Sequence, residues 1–99
     1  MRDASGLITA GGTAQTALAA DFLREYVEVV NPASATENLF VDFGRTATTN
    51  SGGAAPYCYE LVPGGSVTFA RAMIGRYMET DYVSVIAATT GHKFVIRYV

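Results

Sequence analysis

A single histidine, His92, and a single cysteine, Cys58, bound the chemistry open to this 99-residue chain. A Ser-His-acid centre would have to run through His92, with a nucleophile on one ring nitrogen and an orienting acid on the other. His92 follows Gly91 in a turn-like stretch, so the sequence predicts an exposed turn or strand-edge residue with little to orient it. Cys58 stands between Tyr57 and Tyr59 in an apolar run and reads as a small core residue. Reactive thiols need an electropositive, partly exposed setting instead. One histidine and one cysteine furnish neither an internal disulfide nor a structural zinc site.

Paired carboxylates are the remaining route to acid–base work, and Glu79 with Asp81 or Glu25 with Glu28 are the nearest in sequence. Glu79 and Asp81 would share a strand face, but a solvated loop is the expectation for them. With Thr80 they supply only a fragment of a calcium loop. The pairs Gly11-Gly12, Gly52-Gly53 and Gly64-Gly65 are not followed by Lys-Ser or Lys-Thr and open no GxGxxG helix, so they read as turns. The sequence therefore predicts no enzyme, no metal and no cofactor.

Composition narrows the partners. With 49% hydrophobic and 16% charged residues the chain is no disordered polyelectrolyte, and a net charge of -2 gives no electrostatic case for nucleic acid. No run approaches the roughly 18 apolar residues of a bilayer span, and polar residues break up Met1 to Ala20, where a secretory signal would need a continuous apolar stretch. The expectation is one soluble domain over residues 1–99, made in the cytoplasm, with neither nucleic acid nor membrane as partner. Six of the seven basic residues are Arg, and there are six Tyr. Both types are enriched at protein interfaces, although drift in a GC-rich genome explains the arginines equally well. A domain this small, without disulfide or metal, points to self-association.

The elements that must position these residues are short strands. Runs rich in Val, Ile, Tyr, Phe and Thr are bounded by Gly, Pro, Asn and Ser at regular spacing. Phe22 to Asn31 reads as a strand stopped by Pro32. In Glu37 to Phe43, Leu39, Val41 and Phe43 share one face, with Asn38 and Asp42 on the other. Phe40 breaks that polar face and is placed against a neighbouring subunit or a second sheet. Gly44 to Pro56 reads as a loop or long hairpin tip. Tyr57 to Val62 and Ser66 to Ala70 flank a Pro63-Gly64-Gly65 turn, and Tyr82 to Ala88 with His92 to Val99 read as a closing hairpin around Thr89-Thr90-Gly91. Phe94, Ile96 and Tyr98 fall on one face of the last strand. Thr13 to Arg24 fits a short helix or, preferably, a strand, and Ala70 to Glu79 fits a helical turn interrupted by Gly75. The fold class expected is all-β, a small β-sandwich or jelly-roll-like barrel of about seven to eight short strands.

Four stretches carry a resemblance. Gly6 to Gln15 with its GGTAQ, VVNPASATENLFVDFGRTAT from Val29 to Thr48, PGGSVTF from Pro63 to Phe69, and VSVIAATTGHKFVIRY from Val83 to Tyr98 look like small virion proteins of tailed bacteriophages. Such proteins are similar to head decoration or cement proteins. The resemblance implies a structural protein on the outer capsid surface of the virion, a homo-oligomer with a trimer favoured, its partner the major capsid protein. Ala70 to Glu79 matches none of these motifs. Residues 1–12 would be a flexible or contact-making arm, and Leu7, Ile8, Phe40, Arg45, Arg71 and Arg76 are the candidate contact residues. The other roles implied are a neck, tail or fibre accessory protein, or a carbohydrate-binding module in which Tyr57, Tyr59, Tyr77 and Tyr82 stack on sugars.

Overall fold

Alternating Val and Ile, which suit a pleated and half-buried surface, drive the chain into short strands. The computed structural model describes residues 1–49, 58–71 and 78–99. Among these residues lie β1 (Arg2–Asp3), β2 (Gly6–Leu7), β3 (Gln15–Leu18), β4 (Tyr26–Val30), β5 (Leu39–Phe43), β6 (Tyr59–Leu61), β7 (Ser66–Ala70), β8 (Val83–Ile86) and β9 (Lys93–Tyr98), with a 3-10 turn at Met78–Thr80. They form two antiparallel sheets, one ordered β1-β9-β4-β7 with β2 also on β9, the other β3-β8-β5-β6. The molecule is a sandwich rather than a closed barrel. It has more strands than expected because the chain start adds two short ones along β9.

The inner faces meet as the period of two dictates. Val27, Val29, Phe69, Phe94 and Ile96 of one sheet pack against Leu39, Val41, Phe43, Val83 and Val85 of the other, all buried. Each contributes about 1.5 to 3 kcal/mol by leaving water. Phe43 and Tyr59 both stand edge-on to Phe69, with centroids 5.0 and 5.7 Å away, the geometry that ring quadrupoles favour. The shared faces of Leu39, Val41 and Phe43, and of Phe94 and Ile96, are as the alternation predicted.

The connections depart from expectation. Thr89-Thr90-Gly91 closes no hairpin, because β8 lies in the four-stranded sheet and β9 in the other. The connection from Ala87 to His92 is long enough to cross the roughly 10 Å between packed sheets. Pro63-Gly64-Gly65 turns as predicted, with Gly64 at φ 85° and the Gly65 N–H on the Val62 carbonyl at 2.7 Å, but it too carries the chain across. From β2 onward every connection crosses except that between β5 and β6. Thr13 to Arg24 forms β3 and no helix. The strand expected from Phe22 begins only at Tyr26, since Asp21–Arg24 is a turn in which the Asp21 carboxylate accepts the Leu23 N–H at 2.9 Å. Gly11 lies so close to the crossing between β8 and β9 that a Cβ there would sit 2.3 Å from the Ala88 carbonyl oxygen.

Residues 1–12 lie along β9. Arg2 and Asp3 pair with Tyr98 and Arg97, Gly6 and Leu7 with Phe94 and Lys93, and the Ile8 N–H bonds the His92 carbonyl at 2.8 Å. Leu7 points to solvent while Ile8 enters the core at 1% exposure. Asp3 accepts the Ser5 N–H at 2.7 Å and faces Arg97 at 3.4 Å. Hydrogen bonds from Ser5, hydroxyl then amide, and next the Arg97 charge, hold its carboxyl below the ordinary aspartate value.

Ile8→Ala is expected to cost about 2 to 5 kcal/mol and Leu7→Ala about 0.5 or less, as read from urea midpoints. A carboxyl whose folded pKa is depressed stabilises fully above its ordinary value, and that contribution is lost as pH falls through the lowered one. Amide protection at Ala4 and Ser5 should therefore fall on acidification relative to β4, and Asp3→Asn should erase the difference.

Candidate functional site

The densest polar cluster gathers around the residue that ends β4. Asn31 is fully buried and uses every hydrogen-bonding atom it has. Its N–H bonds the Gly65 carbonyl at 2.9 Å and its own carbonyl accepts the Gly64 N–H at 2.8 Å. Its side-chain amide donates to the carbonyls of Glu37 at 3.0 Å and Leu61 at 2.8 Å, and Oδ1 meets His92 Nε2 at 2.8 Å. The other ring nitrogen, Nδ1, lies 3.2 Å from Glu37 Oε1, which also accepts the Thr89 N–H at 3.0 Å. His92 is thus buried and oriented from both sides, against the expectation of an exposed, unoriented turn residue. Its partners lie 61 and 55 residues away in sequence, beyond any local reading.

A His-Glu pair beside a cleft of about 360 Å³ lined by Ser34, Thr36, Glu37, Thr90 and Lys93 has the parts of an acid–base site. General-base work requires one ring nitrogen to face the cleft, and here Nε2 is sealed against Asn31 and Nδ1 against Glu37. The arrangement serves to join three chain crossings, from β4 to β5, β6 to β7 and β8 to β9.

A second cluster lies at the other end of β4. Arg24 is 2% exposed and donates Nη1 to the carbonyls of Glu79 and Asp81, each at 3.0 Å, and Nη2 to the Ala19 carbonyl. Its guanidinium sits 5.6 Å from the centroid of the Tyr98 ring. Burial pushes Arg24 below the ordinary arginine value, opposed by Asp21 and Tyr98, and Nε has no hydrogen-bond partner. Arg71 supports the same turn from outside, donating to the carbonyls of Phe22 at 3.2 Å and Arg24 at 3.4 Å and facing Glu25 at 3.5 Å. Phe22 and Leu23 stand out into solvent at its tip.

The six candidate contact residues are scattered rather than gathered. Leu7 is exposed on β2, Ile8 is core, and Phe40 is half-buried opposite Ile86. Arg45 pairs with the buried Asp42 at 3.2 Å beside a segment in which the Ala47 N–H caps Ser84 Oγ. Arg71 holds the turn just described, and Arg76 lies outside the described residues. Cys58, expected in the core, is half-buried before β6, its sulfur accepting the Thr48 N–H at 2.9 Å. Glu79, expected in solvent, is completely buried with neither carboxylate oxygen hydrogen-bonded, while Asp81 is half-buried. Tyr59 turns its ring onto Phe43 and Phe69, Tyr82 is half-buried, and Tyr57 and Tyr77 lie outside the described residues. Among the described residues no three His, Cys, Asp or Glu side chains stand together as a metal ligand set.

Compared with known proteins, the chain matches no family model, no curated protein and no solved structure.

Asn31→Asp keeps the shape but sets a carboxylate oxygen against the carbonyls of Glu37 and Leu61. With two buried acceptors losing their donor at roughly 1 to 3 kcal/mol each, the expected loss is about 2 to 6 kcal/mol in urea unfolding at neutral pH.

Proposed function

We propose that this chain is a non-enzymatic structural component of a tailed-phage virion, a decoration or cement protein that binds the outer capsid surface as a symmetric oligomer. The observation that carries the reading is the outward placement of Leu7, Phe22, Leu23 and Val62, each more than half exposed on a fold otherwise closed around its core. Phe22 and Leu23 stand side by side on a hydrogen-bonded turn, and a contiguous exposed apolar patch is what a protein completed by other proteins presents. The motifs behind the resemblance support it at the level of shape. GGTAQ leads into β3, NP ends β4, PGG turns between the sheets, and TGHKF brings the chain into β9.

In this reading the oligomer lies across junctions between capsomers. Capsid subunits then separate only by also breaking its contacts, so binding stabilises the shell by mass action. Of the candidate contact residues, Leu7 in the 1–12 arm and Arg45 in the loop after β5 are exposed, and both are proposed to touch the shell. Ile8 cannot serve there, because its side chain is committed to the core. Removal of residues 1–12 would therefore unfold the domain rather than test a contact.

Purified protein added to heads stripped of it should co-sediment to a saturating stoichiometry and raise the temperature at which the heads release DNA. Leu7→Asp should weaken that binding by about tenfold, the size of losing one well-packed contact. Heads from the encoding phage that neither bind the protein nor carry it in intact virions would overturn the reading.

A further inference from the structure

Phe22 and Leu23 are 89% and 83% exposed, more than any other large apolar side chain among the described residues. Their exposure is built in. Asp21 closes the turn through the Leu23 N–H, the Asp21 N–H is tied to the Thr80 carbonyl at 2.9 Å, and Arg71 holds the Phe22 carbonyl. Arg24 is buried beneath, at the cost of desolvating its charge and leaving Nε without a partner. Such a pair of apolar tips is already fixed in place, so little conformational entropy remains to be lost when they are covered.

A groove of about 350 Å³ opens beside the turn, lined by Met1, Arg2, Asp21, Leu23, Tyr98 and Val99. We propose that the turn and this groove form a self-association surface, the Phe22–Leu23 tip of one copy seating in the groove of a second copy of this chain. The inference rests on the oligomeric part of the reading above and names its contact.

Two observations single out a second copy as the occupant. The convex apolar tip lies beside a groove that sets Met1, Tyr98 and Val99 among Arg2, Asp21 and Arg24, the arrangement that lets copies of one surface complete each other around a symmetry axis. The outward charges are also balanced. Arg2 is exposed, its side chain in no ion pair among the described residues, and Asp21 is exposed on the same groove. Docking that seats the tip in the groove brings Arg2 of one copy toward Asp21 of the next. A lipid surface would be met by an excess of cations around the apolar tip, whereas here the exposed Arg2 and Arg71 are offset by Asp21 and Glu25, and Arg24 is buried.

Sedimentation velocity of the full chain across a wide concentration range tests the proposal. The expected result is reversible association to a closed dimer or trimer. The double variant Phe22→Ser, Leu23→Ser should raise the dissociation constant by at least about tenfold. At concentrations where both are monomeric its unfolding midpoint should match the wild type, because both side chains already face water. Arg2→Glu should weaken association by a smaller factor and leave the fold untouched. A wild-type chain that stays monomeric at every concentration overturns the proposal. An oligomer indifferent to both variants does the same, as does a monomer that binds phosphatidylcholine vesicles through Phe22. A monomer that nevertheless coats heads removes this contact and leaves the capsid reading standing. An oligomer that depends on Phe22 and Leu23 yet ignores heads supports the contact and removes the capsid reading.

Discussion

The two ends of β4 hold this fold together. Arg24 precedes the strand and Asn31 follows it, and each reaches carbonyl groups on chain segments that travel between the sheets. Arg24 gathers the crossings before β4 and before β8. Asn31, through Glu37, Leu61 and His92, gathers those after β4, β6 and β8. A sandwich whose strands pair with partners distant in sequence has few local contacts to guide it, so polar side chains of fixed geometry set the ends while the apolar faces supply the bulk of the free energy. Such groups are costly if half satisfied. Asn31 is fully satisfied, and its hydrogen bonds specify which segments meet.

What could be read in the sequence follows from which interactions are local. The period of two located most strands and the inward faces of β5 and β9, because alternation is written residue by residue. The Pro63-Gly64-Gly65 turn was equally plain. Sheet membership was not, since a short polar connection looks the same whether it closes a hairpin or crosses between layers. His92 and Glu79 were misjudged for a related reason. Their neighbours in sequence are polar and turn-like, while the atoms that bury them come from other connections. The turn at Phe22 and Leu23 was hidden by the hydrophobicity that made it resemble a strand start. Asp21, a good turn opener, was the one signal available.

On the proposed reading, a sandwich tied by hydrogen bonds at both ends of an inner strand suits a part that bears load between larger neighbours. Its outward apolar residues ride on turns and short edge strands, where substitution leaves the core intact. On that reading, binding specificity can vary without changing the frame.

The position of β9 has a consequence for how the molecule is made. It lies between β4 and the pair β1 and β2, so β1 and β2 have no partner until β9 follows about 90 residues later. At typical elongation rates that is a wait of roughly 5 to 20 s, during which Ile8 stays uncovered. Until then the chain exposes apolar surface that the finished sandwich covers.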